Sequence, residues 1–233
     1  MNIVQHQVQR VFNRVLLDAT RDRKDILAMQ ALAALAPGYL PWNPAAMRPS
    51  AIVAVLNEIV INRRQRVVEC GSGISTFYIG RLLHDKGGHL YTIEHDADWA
   101  RLLAAELKSA DLADVVTVVV APLAPTSVGW QGSHTPWYAE DRLQCLKAAG
   151  GIDLLIVDGP PAYSADLRYA RYPAVPFFKD ALAADYAVVL DDINRRGEQE
   201  ILEHWESLLG IPFQRRFVVG TIGLGRTRRS FTV

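Results

Sequence analysis

From Arg66 onward, short runs rich in β-branched residues alternate with segments of helical periodicity. The runs are RVVEC, HLYTIEH, VVTVVVA, IDLLIVDG and YAVVLDD, and helices are expected near residues 75–86, 97–110, 139–149 and 177–184. Because the runs are apolar on both faces, they predict parallel strands buried between two helical layers. The chain is therefore expected to form an α/β fold with a doubly wound, mostly parallel sheet.

The two ends of the chain depart from this alternation. Apolar residues at helical spacing predict one N-terminal helix from Val4 to Leu16 and a second from Ile26 to Ala36. The proline-rich loop PGYLPWNPAAMRPS follows, and Ser50 is expected to cap a helix over residues 51–63. After a helix near 195–209, FQRRFVVG and RRSFTV predict a C-terminal antiparallel hairpin. We divide the chain into an N-terminal helical cap with a substrate-side loop, residues 1–50, and a ligand-binding domain, residues 51–233.

Composition limits the classes of partner. Lysine plus arginine equals 25 and aspartate plus glutamate equals 25, so no excess charge attracts nucleic acid or an anionic membrane. The N-terminus lacks the apolar region of a signal peptide, and prolines interrupt the longest uncharged run, which predicts a cytoplasmic protein without a membrane span. The two cysteines, Cys70 and Cys145, are expected to be buried free thiols.

The stretch VVECGSGIST places Gly71 and Gly73 between the first strand and a helix. Two glycines allow the backbone to approach a ligand closely, and the helix N-terminus offers free amide groups to a carboxylate or phosphate. A side chain at Gly73 is expected to occupy ligand space and to meet a forbidden dihedral. A glycine pair at such a turn can also serve only to form a tight bend. The pair by itself is therefore weak evidence of a binding site.

Glu94 strengthens the evidence because it ends the second strand, about 20 positions after the glycines, where an acidic residue can accept hydrogen bonds from a ribose diol. A nucleoside-containing ligand is therefore predicted. The dinucleotide fingerprint requires a third glycine, but this chain has Thr76 there, and Glu69 precedes the turn. A carboxylate at that end suits the ammonium and sulfonium groups of S-adenosylmethionine better than a pyrophosphate.

ECGSGIST, YTIEHD, APL and LLIVDGPPA, in this order, resemble the motifs of class I S-adenosylmethionine-dependent methyltransferases, which have a Rossmann-like fold. VDGPPA and LDDINR further resemble a bacterial subgroup related to small-molecule O-methyltransferases. The resemblance spans about residues 66–233 and makes 51–233 the catalytic domain. It implies that Glu69, Gly71 and Gly73 contact the methionine portion and Glu94 the ribose. The predicted cofactor-binding set is Glu69, Gly71, Ser72, Gly73, Ser75, Glu94, His95, Ala121, Pro122, Leu123 and Asp158, in which residues 121–123 contact the adenine.

Three carboxylates follow later strands: Asp158 the fourth, and Asp191 and Asp192 the fifth. Carboxyl ends of parallel strands meet at one edge of a sheet, so these side chains could converge there. Catecholate-type O-methyltransferases hold a divalent cation at corresponding positions, and Asp158, Asp191 and Asp192 are a hard-oxygen site suited to Mg²⁺. Two differences from that family are Asp192 in place of an asparagine and Pro161 in place of a basic residue. The alternative is that the aspartates bind loop amides or Arg195.

Asp158 and His134 are the candidate catalytic bases, although His134 can equally be a solvated surface residue. Trp130, Trp137 and Tyr138 either line an acceptor pocket or pack beneath a long loop. Arg168 and Arg171 either recognise an anionic acceptor or pair with surface acids.

These residues predict a methyltransferase that uses S-adenosylmethionine to methylate an oxygen of a small molecule or glycoside. A homodimer is left open. One alternative is a nicotinamide-dependent oxidoreductase, which Glu69 and Thr76 disfavour. Another is a nucleoside-binding regulatory protein without turnover.

Overall fold

A computed structural model describes residues 3–36, 40 and 42–228 of the chain, with side chains described from residue 12 onward. It contains one seven-stranded sheet in the order β3-β2-β1-β6-β7-β9-β8, and a separate two-stranded sheet of β4 and β5. The strands are β1 (Arg66–Cys70), β2 (His89–Glu94), β3 (Val116–Val120), β4 (Leu123–Pro125), β5 (Pro136–Tyr138), β6 (Ile152–Val157), β7 (Leu182–Leu190), β8 (Phe213–Arg216) and β9 (Ile222–Arg226). The helices are α1 (Ile3–Leu32), α2 (Pro49–Asn62), α3 (Ile74–Lys86), α4 (Ala97–Ser109), α5 (Glu140–Ala149), α6 (Ala174–Phe178) and α7 (Arg196–Leu209).

The five strands β1, β2, β3, β6 and β7 are parallel, whereas β9 pairs antiparallel with both β7 and β8. The predicted doubly wound, mostly parallel sheet with a C-terminal hairpin is confirmed. The chain runs outward from β1 to β3 and then returns to place β6 on the other side of β1. The sheet therefore has its topological switch point between β1 and β6, where ligands bind in such folds.

Alternating side chains of the central strands enter two separate hydrophobic cores. Val67 and Leu154 pack with α2 and α3 on one face, whereas Val68 and Leu155 pack with α5 and α7 on the other. This double burial explains why the strand sequences are apolar on both faces.

The N-terminal region differs from the prediction in two respects. The two expected helices are one continuous helix, α1, because no proline or glycine lies between Leu16 and Ile26 and charged residues such as Asp18 and Arg21 pair on its surface at 2.9 Å. Ser50 does not cap α2. Its hydroxyl bonds Asp25 of α1 at 2.5 Å, and Pro49 begins the helix after Arg48.

Three further predictions are corrected. The expected helix at 177–184 is only α6 and a short 3₁₀ turn, because residues from Leu182 onward extend β7, with Leu182 paired to Ile152. The hairpin partner of β8 is β9 instead of RRSFTV, of which residues 229–233 lie outside the described residues. Cys145 is exposed on α5, whereas Cys70 is buried as expected.

Other predictions fall on parts of the chain outside the described residues. The apolar side chains Val4, Val8 and Val11 of the first expected helix are not described, and neither are Pro37, Gly38, Tyr39 and Pro41 of the proline-rich loop. The division at residue 50 and the homodimer stay predictions. Among the described residues, no helix is long and apolar enough to cross a membrane.

Candidate active site at the switch point of the sheet

The glycine corner brings two loops into backbone contact. Gly71 has a φ of +91°, and a Cβ at this position would lie 2.8 Å from the backbone nitrogen of Gly159, in the loop after β6. Only glycine satisfies both the dihedral and the close approach. Gly73 differs, because its φ is −176° and an added Cβ would meet no atom within 4 Å. The expectation of a forbidden dihedral at Gly73 is therefore wrong. The position whose backbone requires a glycine is Gly71.

Thr76 explains why the third glycine of the dinucleotide fingerprint is absent. Its buried hydroxyl accepts a 3.0 Å hydrogen bond from the backbone N–H of Gly73 and donates a 2.6 Å bond to Glu69. Ser75 and Thr92 also donate to Glu69, at 2.6 Å and 2.8 Å. Burial raises the pKa of Glu69, which these hydroxyl donors oppose. Glu69 thus supports the start of α3 from within the fold.

Glu94 at the end of β2 is held by backbone and side-chain donors. Its Oε1 accepts bonds from the backbone N–H groups of His95 at 2.7 Å and Asp96 at 2.9 Å. Ser72 donates to Oε2 at 2.6 Å, and Trp99 donates to the Ser72 hydroxyl at 3.1 Å. Burial opposes ionisation, but bonds from His95, Asp96 and Ser72 lower the pKa of Glu94 to about 2. The imidazole Nδ1 of His95 also lies 2.9 Å from Oε1 of Glu94, and the hydrogen bond between these two side chains raises the pKa of His95.

Asp158, Asp191 and Asp192 do converge, as the sequence predicts, with one oxygen of each within 4.8 Å of the others. Arg171, which is 3% exposed, lies among them: it contacts Asp158 at 3.3 Å and Asp192 at 3.0 Å. Burial and the neighbouring carboxylates raise the pKa of Asp191. Burial raises the pKa of Asp158, which Arg171 opposes.

Two cavities open at this edge of the sheet and share six residues, namely Ala45, Ala46, Ser72, Glu94, His95 and Asp158. The acidic cavity, about 290 Å³, is also lined by Gly71, Asp191, Asp192 and Arg171. The cofactor-side cavity, about 370 Å³, is also lined by Gly73, Ser75, Phe77 and Trp99. The described part of the proline-rich loop thus borders both cavities through Ala45 and Ala46.

Tyr138 of β5 also lines the acidic cavity. It is 1% exposed, and its hydroxyl has no hydrogen-bond partner among the described residues. The hydroxyl lies against Gly159, because a Cβ on that glycine would collide with it. A buried hydroxyl without a partner is costly.

Several candidate residues are not brought to these cavities. Glu69, His134 and residues 121–123 are outside the described lining of both, and His134 is exposed on the loop before β5. Trp130 stacks on Tyr169 with ring centroids 4.3 Å apart, which favours packing beneath the loop. Arg168 pairs with Glu200 at 2.6 Å, away from the aspartates. The cofactor contacts of Glu69 and 121–123 and the role of His134 stay predictions.

Sequence reasoning assigns no cofactor role to Trp99 and leaves Arg171 and Tyr138 as undecided alternatives. A helical tryptophan five residues after Glu94 could have been suspected from spacing, because it returns toward the same strand end. For Arg171 and Tyr138 no local pattern exists, because both reach the site from segments distant in sequence.

The fold and cavities define an α/β protein with a ligand site at the switch point of its sheet. The sequence matches the family described as "Methyltransferase domain" over residues 68–193, which is more than half of the chain. The chain belongs to this family, which confirms the resemblance to class I S-adenosylmethionine-dependent methyltransferases. No curated protein sequence is similar enough to count as a match.

Solved structures share the fold at low sequence identity. A methyltransferase of Podospora anserina bound to SAH is 13% identical, with 98% of each chain covered and a TM-score of 0.57. An O-methyltransferase from Bacillus cereus in complex with SAH is 17% identical, with 88% of this chain and 91% of that chain covered and a TM-score of 0.51. The O-methyltransferase TomG from Streptomyces achromogenes in complex with SAM is 19% identical, with 87% of this chain and 88% of that chain covered and a TM-score of 0.52.

Proposed function

We propose that the chain transfers a methyl group from S-adenosylmethionine to an oxygen of a small-molecule acceptor. The observation that carries the proposal is that Gly71, Glu94 and Asp158 line one cavity at the switch point. The family match and the SAH- or SAM-bound structures of similar fold support this choice of donor over a nicotinamide. Glu69 is fully buried and is not among the residues that line either cavity, so its contact with the methionine portion stays a prediction.

Within this proposal, each end of the donor has a matching group. Glu94 is held ionised and accepts from the ribose hydroxyls. Gly73, where an added Cβ would meet no protein atom within 4 Å, leaves room for the methionine portion, and Gly71 lets the loop after β6 approach the same corner. Bound S-adenosylmethionine supplies a methyl carbon already activated by a sulfonium, so alignment of the acceptor is the main requirement. Asp158 borders the acidic cavity and takes the proton of the acceptor hydroxyl as the acceptor oxygen bonds to the methyl carbon. The bond between that carbon and the sulfonium sulfur breaks in the same step, so that S-adenosylhomocysteine leaves with the electron pair of the broken bond.

The predicted divalent cation fits this site poorly. The three aspartates are close enough together to share an ion. However, Asp158 and Asp192 are bound to Arg171, and Asp192 also contacts Arg195 at 2.9 Å. Only Asp191 presents a buried oxygen, Oδ1, without a partner among the described residues. In this proposal the proton of the acceptor hydroxyl therefore passes to Asp158 without a metal, and the Mg²⁺ site stays a prediction.

Ligand-induced stabilisation tests the proposed donor. The protein is heated with S-adenosylmethionine, SAH or NADH separately, and a ligand at a hundred times its dissociation constant stabilises by about 2.7 kcal/mol. We expect stabilisation by the first two only. Stabilisation by NADH alone would support the oxidoreductase. Turnover against a panel of hydroxylated acceptors then separates an enzyme from a nucleoside-binding protein without activity.

A further inference from the structure

The guanidinium of Arg171 is the positive charge at the centre of the acidic cluster. Its Nη2 lies 3.3 Å from Asp158 and its Nη1 lies 3.0 Å from Asp192. The side chain is 3% exposed and lines the acidic cavity. A cation buried to this extent is retained only where carboxylates pair with it.

Arg171 is also fixed in place by backbone acceptors. Its Nε donates to the carbonyl of Pro160 at 3.3 Å, and its Nη1 donates to the carbonyl of Asp191 at 3.4 Å. The guanidinium therefore ties the loop after β6 to the loop after β7. Its planar fork of donors suits several acceptors at once, which an ammonium group could not match.

Two guanidinium groups compensate part of the negative charge of the cluster without an added ion, although Arg195 also lies 3.6 Å from buried Glu198. Arg171 pairs with two of the three carboxylates, and Arg195 supplies a second positive charge at Asp192, 2.9 Å away. A divalent cation would have to displace the guanidinium from its carboxylates, leaving a buried charge without partners. The cost of that displacement favours the arginine over the metal.

We propose that Arg171 takes the charge-compensating place of a divalent cation in this site, so that the chain needs no bound metal for methyl transfer. The statement that methyl transfer needs no metal rests on the proposed function. The competition between Arg171 and a metal ion for the same carboxylates does not rest on it. The basic residue that the sequence lacks just after Asp158, where Pro161 stands, is supplied in space by Arg171.

Titration with Mn²⁺ tests this competition directly. Binding is measured by calorimetry for the unaltered protein, for Arg171→Gln, and for Arg168→Gln as the matched control on the surface. We expect negligible binding of Mn²⁺ by the unaltered protein and by Arg168→Gln. Arg171→Gln leaves three carboxylates that repel one another, and it should bind Mn²⁺ on the order of tenfold or more tightly than the unaltered protein.

Tight binding of Mn²⁺ by the unaltered protein, with turnover lost in chelator and restored by the metal, would overturn the proposal. Equal, weak binding by a folded Arg171→Gln would also overturn it. If that variant does not fold, the titration of the unaltered protein and of Arg171→Lys, which should both exclude Mn²⁺, decides. Failure of S-adenosylmethionine to stabilise the protein would refute the proposed function without changing the Mn²⁺ result.

Discussion

The hydroxyl of Ser72 donates a 2.6 Å hydrogen bond to Oε2 of Glu94, which ties the glycine corner after β1 to the acidic end of β2. The opposite oxygen, Oε1, is bound by the backbone of His95 and Asp96. The carboxylate is therefore oriented before a ligand arrives, and little ordering remains to be done on binding.

This anchoring makes stability depend on pH. The folded-state pKa of Glu94, about 2, lies below its ordinary value of 4.5. Ionised Glu94 therefore stabilises the fold fully above pH 4.5, and the contribution disappears as the pH falls through about 2. We expect ionised Glu94 to contribute about 2 kcal/mol to the free energy of unfolding, after allowance for solvent screening. Denaturant unfolding at pH 6 and at low pH, compared with Glu94→Gln, measures it, and an equal loss in both proteins would contradict the assignment.

The two glycines of the corner should respond differently to alanine. Gly71→Ala forces a side chain into a positive φ and against Gly159, and should destabilise the protein by about 2–4 kcal/mol. Gly73→Ala should change stability by less than about 1 kcal/mol. Because Gly73 lines the cofactor-side cavity, its variant should fold and yet lose roughly tenfold or more in S-adenosylmethionine affinity. Normal affinity in a folded Gly73→Ala would exclude close contact with the cofactor.

Tyr138→Phe removes a buried hydroxyl that has no partner among the described residues. Without ligand, the variant should be as stable as the unaltered protein or more stable by up to about 1–3 kcal/mol, because an unsatisfied polar group is removed. Unfolding measured with and without S-adenosylmethionine checks this. A clear loss of stability without ligand would show that the hydroxyl is already bonded within the protein.

The sheet is predictable because its strands carry their signal locally. β1 and β6 are apolar on both faces, which specifies burial between helical layers before any contact is known. The predicted start of β7 is too late in the sequence because Leu182–Asp185 reads as a helix by composition, and pairing with β6 overrides that preference.

The site is predictable from the sequence only in part. Glu94, Gly71 and the aspartates can be placed together because parallel strands end at one edge. Arg171 cannot, because nothing in its local sequence distinguishes it from Arg168, which remains on the surface with Glu200. Their different partners follow from the path of the loop after β6, which local sequence does not specify.

Calorimetric titration of S-adenosylmethionine into the unaltered protein and Glu94→Ala tests the central claim most directly. Two ribose hydroxyls lose a charged acceptor in the variant, so affinity should fall by about 1.5–3 kcal/mol, or roughly 10- to 150-fold. Ser72→Ala, which keeps the carboxylate but removes one of its donors, is the control and should lose less. Unchanged affinity in a folded Glu94→Ala, or no binding by the unaltered protein, would contradict the account.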